Sequence, residues 1–426
     1  MSTGAMTRRT SVAALTAAVL LVAANMRPTI TSVGPVLGQI GDDTGMSPGG
    51  LGLLAAVPLL AWGAISPFAH VLSRRFGMSR VVLWSLVLLV VGTLVRSLPG
   101  PTVSLWLGTV LIGAALAVAN VLLPAVIKRD FRRVPLVMAL YTALLAGFGA
   151  VASGVAVPIS LIGGPDSPAG WRTSLALIGC ALPPFAILAW GWAVPGSIRG
   201  PRMPGLIARP AASAPPLTSA PPASAPSVTA ARPRRAAMWR DGLAWQVAVY
   251  MGLQSASFYM LVTWLATIST STGRSEVLAG IDVMLFQLFS LVGSILLPLV
   301  LRGRSERLVP ALIPVLGVAG VVGLMVAPGV IDLWAAVIGL FSGSSLAMSL
   351  TLLAQRARDH DTSAALSGMA QSVGYFMAAC GPVLFGWLHA STDGWTVPLA
   401  LLLAAMVAQV VTGLFAGRDR FVLDPR

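Results

Sequence analysis

The chain has 426 residues, of which 56% are hydrophobic and 10% charged, and its formal net charge is +14. A soluble globular protein carries roughly 25% charged residues, so a soluble enzyme, a nucleic-acid-binding protein and a disordered regulator are all excluded. A bilayer-spanning helix needs about 20 mostly apolar residues, and the apolar content fills about twelve such spans.

In chain order, apolar segments run over 11–40, 49–70, 81–98, 104–127, 135–162, 172–194, 243–271, 277–301, 308–328, 331–353, 363–390 and 395–416. The first follows Arg8 and Arg9 and offers Val22-Ala23-Ala24 as a signal-like cleavage site. It stays apolar through Ile40, however, which reads as a retained span. With twelve spans, 24 of the 28 Lys and Arg residues fall on the side of the N-terminus, and only Arg172 and Arg274 on the other. Orientation follows Lys and Arg far more than the acids, so the N-terminal side is expected to be cytoplasmic and to hold both termini. Cys180 and Cys380 each fall within a span and suit neither a disulfide framework nor a metal site.

Between spans six and seven the composition changes to RPAASAPPLTSAPPASAPSVTAARPRR, which cannot bury enough surface to offset its ordering entropy. The expected organisation is all-α: a six-helix half over 1–194, a disordered cytoplasmic linker over 195–242, and a second six-helix half with a short cytoplasmic tail over 243–426. An offset of 227 residues places Arg129 over Arg356, Gly147 over Gly374 and Gly154 over Gly381, a faint internal repeat.

Two six-span units in parallel orientation with a long central cytoplasmic loop resemble the major facilitator superfamily. The loop between spans two and three reads Ser73-Arg74-Arg75-Phe76-Gly77-Met78-Ser79-Arg80. Arg75-Phe76-Gly77 keeps the Arg-x-Gly core of the superfamily's Asp-Arg-x-Gly-Arg-Arg signature. Arg74 stands where the Asp would be, so the interdomain latch ascribed to that Asp does not carry over. The strings NMRPTITSVGPVL (25–37), NVLLPAVIKRDF (120–131), GLQSASFYMLVTWL (252–265) and AQSVGYFMAACGPVLFGWLH (370–389) are similar to the cyanate and nitroimidazole transporter family within that superfamily. The resemblance implies twelve transmembrane helices in the major facilitator fold, embedded in the lipid bilayer of the cytoplasmic membrane. It implies a monomeric secondary active transporter that moves a small polar or anionic solute, cyanate-like, by alternating access. The alternative is efflux of nitroimidazole-type or other drug-like compounds. No cofactor is implied; a coupling proton is a further candidate partner.

A charge in hydrocarbon costs ~2.5–3.5 kcal/mol on insertion scales, and three ionisable residues fall inside spans: Arg27, Arg96 and Asp282. Arg27 lies about 24 Å along the helix from Ser11, too deep to reach the surface, and the following Pro28 removes an N–H and kinks the helix. Its guanidinium, with five donors, suits a small anion or planar polar group. The other reading is a structural Arg paired with helix carbonyls or Asp282. Asn25 lies ~200° around an ideal helix from Arg27 and joins it on one ligand only if the helix unwinds at Pro28. Arg96, near the outer end of span three, is expected to snorkel to the headgroups. Asp282, near the outer end of span eight, is read as an interfacial carboxylate, a proton carrier, or the partner of Arg27.

Gln371 and Tyr375 share a helical stripe with Gly368, Ala378 and Pro382; Gln254 shares one with Tyr250, Ser257 and Leu261, with Phe258 and Tyr259 beside it. The resemblance implies a cavity lined by spans one, four, seven and ten with parts of two, five, eight and eleven. Asn120 in span four and Tyr141 in span five therefore complete the candidate set. The expected substrate-binding residues are Asn25, Arg27, Asn120, Tyr141, Gln254, Tyr259, Gln371 and Tyr375, with Asp282 as candidate proton carrier. For each, an interhelical hydrogen bond worth ~0.6–2 kcal/mol is the competing role. Glycines of spans five and eleven are expected to permit packing and bending. No HExxH, GxSxG or GxxxxGK[ST] motif occurs, so neither an enzyme nor an ATP-driven pump is expected.

Overall fold

A computed structural model describes residues 12–164, 167–194, 237–301 and 307–424, all of whose regular structure is helical. The first span is not one helix. α1 (Val12–Asn25) is followed by α2 (Pro28–Thr31), a 3-10 turn over Gly34–Val36, and α3 (Leu37–Thr44). Pro28 and Pro35 each withhold an N–H from the ladder, which is why the span breaks at those points. α3 stops at Gly45, whose φ of 65° suits a residue without Cβ.

The rest of the first half comprises α4 (Pro48–Phe76), α5 (Met78–Ser97), α6 (Thr102–Asp130), α7 (Val134–Ser160), and a sixth span divided at Pro183 into α8 (Gly170–Cys180) and α9 (Pro183–Ala193). A single residue, Gly77 at φ 87°, turns α4 into α5. The second half comprises α10 (Gly242–Ser271), α11 (Glu276–Val300), α12 (Val309–Val326), α13 (Ile331–Gln355), α14 (His360–Thr392) and α15 (Thr396–Ala416). Side chains of Ser47, Asp241, Ser275 and Asp359 accept from the exposed amides at the starts of α4, α10, α11 and α14, replacing partners that a helix terminus lacks. The linker expected over 195–242 lies, as far as residue 236, outside the described residues.

Among the described residues, eleven helical segments are long and apolar enough to cross a membrane. The twelfth expected span, α10, has the length, 30 residues or about 45 Å, but is more polar. Its Gln254, Ser257, Tyr259 and Thr263 are all buried, as is most of the helix on every side, so α10 is enclosed by other helices and does not need an apolar surface toward lipid. Elsewhere Val103, Leu188, Trp192 and Val326 stand exposed, as lipid-facing side chains do.

The halves meet where α4 packs on α14, α7 on α11, and the 3-10 turn on α10. Contact is closest at the end remote from the termini. A Cβ at Gly34 would overlap the Val262 carbonyl, one at Gly52 the Pro382 carbonyl, and one at Gly386 the Pro48 carbonyl. Gln39 Nε2 donates across the same seam to Glu276 at 2.8 Å. Toward the other end the seam parts. Gly63, Gly147 and Gly368 fall on the same helix faces as Gly52, Gly154 and Tyr375, a whole number of turns away. Yet a Cβ at any of the three would meet nothing within 4 Å. The apolar core follows the same pattern. One cluster runs from the first half into α10, α11 and α14, whereas the cluster around Met238, Tyr250, Met348 and Leu366 belongs wholly to the second half. A cleft therefore opens between the halves toward the end that bears the termini.

Gly52→Ala would force a methyl into the Pro382 carbonyl and push the closed seam apart, at a cost of about 1–3 kcal/mol. With Cys180 and Cys380 replaced, a cysteine introduced at Gly368 should then react more slowly with a water-soluble maleimide, because the cleft closes as the seam opens. Unchanged labelling would contradict this arrangement.

Candidate functional site

The cleft ends at the break in the first span. Arg27 caps the start of α2, half-buried, with its guanidinium carbon 5.3 Å from the ring centroid of Phe258 on α10. That contact is a cation–π interaction worth ~0.5–2 kcal/mol. Among the described residues no carboxylate lies within ion-pair distance of Arg27. The Phe258 ring in turn meets that of Tyr259 edge-on at 5.1 Å, and the Tyr141 hydroxyl reaches Met26, the residue before Arg27. A cationic group in mid-membrane is thus surrounded by aromatic rings and hydroxyls, and its charge remains uncompensated by protein.

A hydrogen-bond network beneath Arg27 joins the two halves. The Thr31 hydroxyl donates to the Gly149 carbonyl at 2.8 Å, and the Ser153 hydroxyl to the Thr31 carbonyl at 2.9 Å. Gln287 Nε2 reaches from α11 to the Ser153 hydroxyl at 2.6 Å. Gly149 keeps this packing close: a Cβ there would stand 3.0 Å from Arg27 Cβ and 3.2 Å from Gln287 Oε1, and those side chains would have to give by a few tenths of an ångström. On the opposite wall the Trp62 ring from α4 meets Tyr259 edge-on at 6.5 Å and Tyr375 at 5.9 Å. Its buried indole N–H has no partner among the described residues.

Of the residues expected from sequence, Arg27, Tyr141, Tyr259 and Tyr375 come together. Tyr141 is buried and its hydroxyl lies 3.7 Å from Met26 Sδ. Gln371 stands one turn nearer the open end than Tyr375, exposed and on the same face. Asn120 is half-buried on α6 and shows no side-chain hydrogen bond among the described residues. The remaining three are engaged elsewhere. The first span does break at Pro28, but Asn25 remains part of α1, with its side-chain amide donating to the Leu21 carbonyl at 2.6 Å. Gln254 is buried and accepts from Ser255.

Asp282 requires a correction. It is fully buried rather than interfacial, and its partners are Arg274 at 3.0 Å and Ser269 at 2.5 Å, not Arg27. Arg96 requires another. Instead of snorkelling to headgroups it is 2% exposed, and its Nη1 donates to the Thr29 carbonyl at 2.8 Å. Gly108 lets α6 run so close to α5 that a Cβ there would overlap Arg96's own backbone, so the side chain is covered before it reaches lipid headgroups. Sequence reading passed over Gln287, Ser153 and Trp62. Gln287 carried a signal, being a lone amide in mid-span, but nothing along the chain says that α11 turns it toward α7.

Comparison with known proteins agrees with this architecture. The profile of the Major Facilitator Superfamily matches residues 17–382. A transporter of Bacillus subtilis (strain 168), YycB, is 36% identical over 95% of this chain and 94% of its own. The 2-nitroimidazole transporter of Escherichia coli (strain K12) is 35% identical, over 95% and 96%, and the cyanate transport protein CynX of the same organism 30% identical, over 94% and 97%. Among solved structures, a bacterial homologue of the human lysosomal transporter Spinster, inward-facing and unoccupied, superposes with a TM-score of 0.76 at 14% identity, covering 96% of this chain and 98% of that one. A D-xylose–proton symporter gives 0.74 at 12% identity, covering 96% and 99%. The chain belongs to the major facilitator superfamily, and it is a multi-pass membrane transporter of small solutes and not an enzyme.

Proposed function

We propose that the protein carries a small anion, cyanate-like, across the cytoplasmic membrane, with Arg27 as its anchor. The observation that carries this reading is the uncompensated guanidinium at the base of the cleft. Burying an unpaired charge is costly, and an arriving anion offsets that cost where a neutral solute does not. The hydroxyls of Tyr259 and Tyr375 supply further donors, and Gln371 lies on the approach. Asn25, Asn120 and Gln254 enter the site only if the helices rotate during the transport cycle.

The proposed machine has its halves at 1–194 and 243–426, joined by a cytoplasmic linker, and works as a monomer. With the termini in the cytoplasm, as the distribution of Arg predicts, the cleft is open to the inside. Alternating access then consists of parting the seam at Gly34, Gly52 and Gly386 while the Gly63, Gly147 and Gly368 faces close. Asp282 is the proposed proton carrier, with Arg274 neutralising it between protonations.

A second reading, efflux of nitroimidazole-type compounds, is favoured by the aromatic walls. Trp62, Phe258, Tyr259 and Tyr375 offer planar faces to a heteroaromatic ring, and a nitro group presents its two oxygens to a guanidinium fork much as a carboxylate does.

Radiolabelled cyanate uptake into proteoliposomes should fall at least ~10-fold in Arg27→Ala, the loss expected when a charged hydrogen bond is removed. Arg27→Lys should retain part of the activity through its charge. No uptake by folded wild-type protein, with 2-nitroimidazole transported instead, would select the second reading. For coupling, Asp282→Asn should abolish the dependence of net uptake on external pH while leaving solute exchange intact; a pH profile identical to wild type would remove Asp282 from the cycle.

A further inference from the structure

Gln287 belongs to the network beneath Arg27, but only one end of its amide is used there. Its Nε2 donates to the Ser153 hydroxyl at 2.6 Å, with the Gly149 carbonyl at 3.4 Å. These partners fix which way round the amide lies. The Ser153 hydroxyl has a single hydrogen and spends it on a carbonyl, that of Thr31 at 2.9 Å or of Gly149 at 3.2 Å. Toward Gln287 it can therefore only accept, and so can the Gly149 carbonyl, which leaves the NH2 end to face both. The oxygen is left over. Gln287 Oε1 accepts no hydrogen bond among the described residues, yet it is not sealed off as the Trp62 N–H and the Ser257 hydroxyl are. It lies 3.2 Å from the point that a Gly149 side chain would occupy, and Arg27 Cβ lies 3.0 Å from the same point. Phe286, the preceding residue, packs at 5.6 Å on Phe258, the ring beneath the Arg27 guanidinium. An acceptor with nothing to accept thus stands beside a cation with nothing to pair.

We propose that Gln287 reads the solute, its Oε1 accepting an N–H or O–H that the solute carries next to the oxygens held by Arg27. The proposal rests on the reading of Arg27 as anchor. It narrows the ligand to a planar solute with an acceptor end and an adjacent donor, of the hydrogencarbonate type. A bare anion has acceptors only. On displacing water from the base of the cleft it leaves Oε1 dry and unpaired, with lone pairs facing lone pairs. A solute that brings its own donor satisfies both ends. Unpaired buried polar groups discriminate more sharply than shape does, so among small anions that Arg27 can hold, cyanate included, a donor-bearing one binds best. Gly149 serves the same end, because a side chain there would stand between the anchor and the acceptor.

The test is thermal unfolding of the purified full-length protein at neutral pH and constant ionic strength, with hydrogencarbonate or nitrate replacing gluconate. The two anions are planar and monovalent and differ by one O–H. Hydrogencarbonate should half-saturate wild type at a roughly tenfold lower concentration than nitrate, and Arg27→Ala should lose both responses. Gln287→Met keeps the side-chain length and removes the acceptor, so the preference should fall most of the way to one. A role confined to tying the helices together would weaken both anions alike and leave the preference unchanged. Gln287→Asn draws the oxygen back by one carbon and should also lower the preference; it decides the question if Gln287→Met does not fold. For a solute of the second reading, 2-nitroimidazole and its 1-methyl derivative, which lacks the ring N–H, form the corresponding pair. If only one pair binds, the preference within that pair decides. Equal binding within the pair, lost in Arg27→Ala, overturns this proposal and leaves the anchor standing. No response to either pair overturns both, and an unchanged preference in the Gln287 variants overturns the role of Gln287.

Discussion

The interruption of the first span is the constraint on which the rest of the site depends. Pro28 and Pro35 deprive the ladder of two N–H groups, and backbone polar groups freed inside a membrane must find partners within the protein. The side chains that meet them come from three other spans. Arg96 of α5 takes the Thr29 carbonyl, Ser153 of α7 takes the Thr31 carbonyl, and Gln287 of α11 joins Ser153. A short irregular stretch thereby becomes the point at which both halves are tied together at mid-depth, and it positions Arg27 against Phe258.

The same stretch explains how a rigid set of helices can present a cleft at one end only. Small residues let the backbones of the two halves touch at Gly34, Gly52 and Gly386. Close approach of this kind depends on the absence of side chains, as it does in other membrane helix pairs. It makes the closed end a set of van der Waals and single hydrogen-bond contacts such as Gln39–Glu276. Contacts of that strength can be exchanged for others, which suits a protein that must open both ways.

Both intramembrane arginines of the first half lie beside this break, while the ion pairs among the described residues sit elsewhere: Arg274 with Asp282, Arg172 with Asp43, and several at the terminal side. The segregation is a consequence of electrostatics in a low-dielectric medium. An arginine beside a carboxylate already has its charge balanced, whereas one without a carboxylate attracts a small anion that can reach it.

Much of this was legible along the chain. Hydropathy located the spans because a lipid-facing surface must be apolar over about 20 residues, and the cost of a charge in hydrocarbon singled out Arg27, Arg96 and Asp282 by position alone. The break at Pro28 follows from the chemistry of one residue. What only the tertiary structure decided is what each polar side chain faces. Arg96 is covered because Gly108 admits α6 against it; Asp282 belongs to Arg274 because the turn between α10 and α11 folds that side chain back; Asn25 bonds to its own helix; and Trp62 and Gln287 enter the site from spans far away in sequence. Periodicity fixes which residues share a helix face, but the direction of that face depends on packing between helices, a property no single segment carries.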